Sequence, residues 1–384
     1  MQPTTGSTSR INSIDVLRGL IMIIMALDHV RDFYSNVQFD PLDLTKTSIP
    51  LFFTRWITHY CAPIFVFLSG TSAFLSFSKG KTKKQAAQFL LTRGLWLIFV
   101  ELAIVDLLWS FDITYHMQAV QVIWAIGWSM VVLSGLVFLN PATIAIIGLT
   151  MIFGHNLLDG IRADSFGSFK WLWLILHEQG FYPYGNGRGL FVMYPLIPWI
   201  GVMATGFAFG FVFKKDAAYR KSFLLKVGCS AIALFIIIRF TNVYGNRTVW
   251  QEQDIWYKTI LSFIDCNKYP PSLLYLLMTL GPGILLLAFF EKYNNRFTNI
   301  ISVYGKVPFF YYLMHLIFIH GSSLLIAKLM HIDQGSFGNP NTAWGFGLPI
   351  VYLAWICIVI ALYFPCNWFM QVKQRRKDWW LSYL

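Results

Sequence analysis

Apolar residues run through this chain in blocks long enough to cross hydrocarbon, which takes about 20 largely apolar residues in a helix. The pattern predicts ten spans, at 14–34, 50–76, 86–108, 117–138, 142–159, 190–213, 222–239, 271–290, 303–327 and 346–370. An eleventh stays open, because the aromatic stretch from Phe169 to Leu176 reads as an interfacial or re-entrant piece. Nothing between the spans is long enough for a soluble domain. The expected organisation is an N-terminal segment 1–13, one membrane domain 14–370 and a basic tail 371–384. The expected fold class is an all-α, polytopic bundle of membrane helices.

Composition supports that reading and charge adds orientation. The 384 residues are 56% hydrophobic and only 12% charged, against about 25% charged in soluble domains. A disordered chain is excluded, and a water-soluble enzyme is a poor fit. Lys and Arg exceed Asp and Glu by 30 to 18, an excess that in a soluble protein suggests nucleic acid. Here it gathers on one set of short loops: Lys79, Lys81, Lys83 and Lys84; Lys214, Lys215, Arg220 and Lys221; Lys292 and Arg296; Lys373 to Lys377. The positive-inside rule then puts both termini in the cytoplasm and makes the bilayer, not nucleic acid, the partner. Five cysteines without a close pair suggest neither a disulfide framework nor a metal site, and read as small buried hydrophobes.

Ionisable residues inside spans are costly and mark pathways or sites. Span one carries Asp28, His29, Arg31 and Asp32 in its outer third, and span two Arg55 and His59. Span three carries Glu101 and Asp106, and span nine His315 with His320 beyond it. Asp15 and Arg18 sit at the inner rim of span one, where Ser13 and Asp15 also fit a helix cap. At about 100° per residue, Asp15, Arg18, Met22, His29 and Asp32 share an arc of roughly 60°. One face of span one is therefore expected to line a tunnel. Histidine exchanges protons near neutral pH and can accept an acyl group. Asp28 or Asp32 beside it fixes its tautomer, and Arg18 or Arg55 suits a phosphate. That set serves group transfer across a bilayer. It serves a transporter or flippase for a sugar or sugar-lipid as well, and paired histidines leave haem binding as a third reading.

The stretch Arg10-Ile-Asn-Ser-Ile-Asp-Val-Leu-Arg18-Gly-Leu, followed by Met25-Ala-Leu-Asp28-His29-Val-Arg31-Asp32, resembles the opening of the heparan-α-glucosaminide N-acetyltransferase catalytic-domain family. So do the run from Arg55 through His59 and Pro63 to Gly70, and Tyr194-Pro-Leu-Ile-Pro-Trp199. Lys268-Tyr-Pro-Pro-Ser272 and Tyr304-Gly-Lys306-Val-Pro308, running on to His315, complete the likeness. A wider similarity holds to acyltransferase type 3 membrane proteins, in Asp-x-x-Arg-Gly with a His eleven residues after the Arg, and in Tyr312-Leu-Met-His315. The resemblance implies a bacterial inner-membrane enzyme moving acetyl from cytosolic acetyl-CoA to an amino or hydroxyl group of an extracytoplasmic sugar or glycan. It is in keeping with a homodimer. It implies Arg18 as the grip on the CoA donor and His29 as base or acyl carrier, oriented by Asp28 or Asp32. Arg31, Arg55, Trp199, Ser272 and His315 become residues around the acceptor. The eukaryotic namesake has Asn in place of His29 and keeps its catalytic His in the following luminal loop. Residues 33–50 here hold no His, which leaves His29, or else His59, as the base.

Overall fold

The computed structural model describes residues 11–293, 295–336, 339–341, 343–376 and 378–383. Arg10, with the rest of the first ten residues, and Lys377 lie outside the described residues. The first half of the chain forms α1 (Asn12–Tyr34), α2 (Ile49–Thr58), α3 (Cys61–Phe77) and α4 (Lys83–Val100). A π-helical turn, Glu101–Val105, joins α4 to α5 (Asp106–Ser110), and β1 (Met117–Val120), α6 (Val122–Leu136), α7 (Pro141–Gly154) and α8 (Lys170–Leu176) follow. Next come β2 (Gly180–Gly185), β3 (Arg188–Val192), α9 (Leu196–Phe209), α10 (Ala217–Thr241) and α11 (Trp256–Ile264). The last part holds α12 (Leu273–Lys292), α13 (Arg296–Lys306), α14 (Pro308–Leu329), β4 (Gly335–Ser336), β5 (Asn339–Pro340) and α15 (Leu348–Arg375).

Helix starts follow local chemistry. Ser48, Asn140, Asp216 and Ser272 each accept the backbone N–H three residues on, so an orphan donor of the first turn is satisfied. Thr82 with Gln85, and Asn295 with Thr298, close reciprocal capping boxes. At the start of α1 the N-cap is Ile11, with no side-chain bond among the described residues, and Asp15 pairs with Arg18 at 3.4 Å.

The all-α membrane class holds. Among the described residues, seven helical stretches are long and apolar enough to cross a membrane: 49–77, 141–158, 196–214, and α10, α12, α14 and α15. Of the other expected spans, α1 and α4 with α5 carry charges along their length, and α6 has only 15 residues. Three expected spans begin or run differently. Residues 190–192, the start of the expected span 190–213, belong to β3 rather than helix, because Pro195 favours an extended Tyr194 and α9 starts only at Leu196. Residues 117–120 form β1, parallel to β3, with β2 antiparallel on the other side. The stretch 303–327 is two helices, broken at Val307 where Pro308 opens α14. The Phe169–Leu176 stretch holds the seven-residue α8, too short to cross.

Packing sets α9 at the centre and α15 outside: 83% of the most apolar window is buried in 196–214 and 11% in α15. Backbones meet where α1 crosses α13. A Cβ at Gly19 would lie 2.0 Å from the Ile301 carbonyl oxygen, and one at Gly305 would lie 1.9 Å from that of Asp15. Small residues permit such close crossings in membrane bundles. Cys61, Cys266 and Cys366 are buried as expected, but Cys229 and Cys357 are exposed on α10 and α15. Those two helices are peripheral, so a small apolar side chain there faces outward without cost. At one end of the bundle Lys83 Nζ donates to the Phe138 carbonyl at 2.7 Å, and Arg220 pairs with Glu291. At the other end Trp344 Nε1 donates to the Phe33 carbonyl at 2.9 Å, which ties the approach to α15 over the end of α1.

Candidate active site

A cavity of about 640 Å³ opens inside the bundle, within the range of small-molecule sites. Its wall begins with Ser69, Arg93 and Pro308, toward the end that bears the basic loops, and finishes with Phe39, Gln334 and Trp344 at the other. Asp28, His29, Arg31 and Asp32 of α1 lie on that wall with Arg55 of α2. Residues three and four apart on a helix share a face, so Asp28, Arg31 and Asp32 arrive together.

Asp28 is the hub. Arg55 Nη1 donates to both its carboxylate oxygens at 2.8 Å, and Thr58 Oγ1 donates at 2.9 Å. Arg31 Nη1 lies 2.8 Å from the same carboxylate, and Lys268 Nζ lies 3.9 Å away. Arg31 Nη2 also donates to Asp32 at 2.6 Å. Three cations thus face two carboxylates, leaving an excess of positive charge at the cavity wall. Buried charges persist only when paired and hydrogen-bonded, and guanidinium forks suit this geometry.

His29 stands beside that network. Its Nδ1 lies 3.8 Å from Asp32 Oδ2, too far for a hydrogen bond. Its ring meets Trp109 edge-on at 4.8 Å and His315 at 5.1 Å. His315 is fully buried behind it, with Nδ1 3.1 Å from the Tyr311 carbonyl and no partner on Nε2 among the described residues.

The structure places the other expected site residues off the wall. His59 is buried against Tyr275, ring to ring at 5.4 Å, with no hydrogen bond to either nitrogen among the described residues. Trp199 lies 5.2 Å behind the ring of Tyr194, and it is Tyr194 that faces the cavity. Ser272 is buried as the cap of α12. Arg18 donates to Ser72 at 2.6 Å and to the Gly305 carbonyl at 3.1 Å. Of the tunnel face expected along α1, Asp15, Arg18, Met22, His29 and Asp32, only His29 and Asp32 line the cavity. The inner half of that face is covered by α13, packed at Gly19 and Gly305. Glu101 and Asp106 also stand apart, accepting the backbone N–H groups of Gln121 at 2.6 Å and Ala119 at 2.9 Å where β1 turns into α6.

Sequence reasoning missed three contributors. Lys268 and Tyr269 come from the loop before α12. Burial pushes the Tyr269 phenol up, but Lys268 and Arg55 outweigh it and hold the group below its ordinary value. Arg239 organises that loop: buried, it donates to the carbonyls of Thr248, Ser262, Phe263 and Asp265 at 2.8 to 2.9 Å. The third is an aromatic stack on the cavity wall, with His320 between Phe111 at 4.0 Å and Phe33 at 4.5 Å. The pointers to these in the sequence were the Lys268–Ser272 motif and His320 as an ionisable residue of span nine.

The family model described as "Heparan-alpha-glucosaminide N-acetyltransferase, catalytic" matches residues 10–247, more than half of the chain. No curated protein matches it.

Proposed function

Because the chain belongs to the heparan-alpha-glucosaminide N-acetyltransferase catalytic family, and so is a membrane acetyltransferase acting on a glucosaminide, we propose that its donor is acetyl-CoA and its acceptor a terminal amino sugar on the other side of the bilayer. The observation that carries the reading is a single cavity walled at both ends of the bundle, with His29 on its side. The donor enters at the end bearing Arg93, taken as cytoplasmic with both termini. The acceptor enters at the end bearing Trp344.

The roles follow from position. His29 takes the proton as the acceptor amine attacks the thioester carbonyl; the C–N bond forms, the C–S bond breaks, and the proton passes to the leaving thiolate. Asp32 orients the ring across 3.8 Å, and His315 holds it from behind. The excess positive charge of Arg31, Arg55 and Lys268 suits the negative charge that develops on the carbonyl oxygen. Arg93 meets the phosphates of the donor, while Arg18 fixes α1 against α3 and α13 behind it. The Phe33–His320–Phe111 stack offers a flat apolar wall to the sugar ring. Trp199 and Ser272 act from behind, backing Tyr194 and starting α12.

Purified protein in vesicles, given isotope-labelled acetyl-CoA and acceptors ending in glucosamine, N-acetylglucosamine or glucose, tests this by mass spectrometry. One labelled acetyl on glucosamine alone is the expected result. Sugar entry into the vesicles without acetyl-CoA, and no labelled product, would point to a transporter instead.

A further inference from the structure

A second hollow lies across the α2–α3 junction from the reaction cavity. Thr58 and Cys61 face the cavity; Ile57 and Tyr60 face the hollow. It is a groove of about 1020 Å³ bounded by α1, α10 and α12. Helices α10 and α12 pinch together at Gly228 and Gly281, where a Cβ on Gly228 would lie 3.0 Å from the Gly281 carbonyl oxygen. They meet again at the Arg220–Glu291 ion pair. Between those points the groove opens, walled by Leu20, Ile24, Leu225, Leu285 and Phe289. The stretch from Lys221 to Cys229 gives about 12 Å of helix along it.

The mouth differs in kind from the wall. Arg220, Lys221, Glu291 and Lys292 all border it. Glu291 neutralises Arg220, and Lys221 and Lys292, both exposed, remain as net positive charge. An apolar trough ending in two ammonium groups matches a molecule with hydrocarbon at one end and one negative charge at the other. We propose that the groove holds an acyl chain of one anionic phospholipid, with its phosphate on Lys221 and Lys292. A zwitterionic lipid fits the wall equally but lacks the net charge that the mouth complements. This assignment does not depend on the acetyltransferase reading.

Native mass spectrometry of the delipidated full chain reads the site. The protein is offered equal amounts of phosphatidylglycerol and phosphatidylcholine with the same acyl chains. Phosphatidylglycerol is expected to be retained about tenfold more, since each basic residue near a headgroup adds to anionic-lipid attraction. Lys221→Glu with Lys292→Glu removes that preference, and Lys221→Gln with Lys292→Gln repeats the test if charge reversal impairs folding. Leu225→Trp, which fills the trough and keeps the cations, lowers retention of both lipids. Melting curves confirm that the variants fold. Equal retention of the two lipids, or a preference that survives loss of both lysines, overturns the proposal. Displacement of the lipid by inorganic phosphate overturns it in favour of a free-anion site, and occupation of the groove by a second copy of the chain overturns it in favour of an interface.

Discussion

Asp and Arg stand three residues apart twice on α1, as Asp15–Arg18 and as Asp28–Arg31, and the two pairs end differently. The inner pair is separated by 3.4 Å, and its Arg is engaged by Ser72 and the Gly305 carbonyl. The outer pair is separated by 2.8 Å, bonds directly to Arg55 and Thr58 with Lys268 3.9 Å away, and lines the cavity. Spacing on one helix decides only which side chains point the same way. The facing element decides the rest. Gly305 lets α13 come into backbone contact and closes the inner pair in, whereas long cationic side chains opposite the outer pair leave space between the helices.

That difference is open to attack by substitution. Asp28→Asn removes the charge that holds three cations, and breaking such a buried network costs about 3–5 kcal/mol. A lower melting temperature and lost acetyl transfer are expected together. Asp15→Asn costs about 1 kcal/mol and leaves transfer near the wild-type rate; equal losses from both would erase the distinction. Gly305→Ala puts a methyl group against the Asp15 carbonyl oxygen, an overpacking worth about 1–3 kcal/mol. It should lower the melting temperature while transfer per folded molecule falls less than in Asp28→Asn. Arg93→Ala, which deletes a cation on the cavity wall, raises the KM for acetyl-CoA about tenfold, the scale of one charge-assisted hydrogen bond, with kcat kept. Arg18→Lys leaves that KM within about twofold, because Arg18 is engaged by protein groups.

The smallest effect lies in the loop that carries Lys268. Burial, with Asp40 nearby, pushes the Asp265 carboxyl up to about 6. A carboxyl raised on folding contributes stability that is present below its unfolded value, near 4, and lost as pH rises through about 6. Asp265→Asn should therefore match wild type below pH 4 and melt higher above pH 6, by on the order of 1 kcal/mol for a partly exposed group. Thermal melts across that range check the sign.

The charged core of the site was legible because Asp28, His29, Arg31 and Arg55 interrupt apolar runs, where their cost makes them conspicuous. The helix starts were legible too, in Ser48, Thr82, Asn140, Asp216 and Ser272, whose side chains cap in place. What periodicity missed has physical causes. Residues 117–120 and 190–192 fell inside expected spans, yet they pair with each other as strands. A short apolar run does not declare which it will be. Lys268 sits in a loop, and only the fold carries it to Asp28. Arg239 reads as the polar end of a span, although it holds the carbonyls of Thr248, of Ser262 and Phe263 in α11, and of Asp265 where that loop begins. Arg18 shared the helical face of His29, and the packing of α13 removed it from the cavity.

The most direct test of the account is the rate of acetyl transfer by His29→Ala beside His59→Ala, each matched to wild type by melting temperature. His29 lies on the cavity wall and His59 does not. Loss of a positioned general base predicts a fall of about 10²–10⁴-fold for His29→Ala, with His59→Ala within about tenfold of wild type, as for a residue that acts only through packing. Transfer at the wild-type rate by His29→Ala would contradict it.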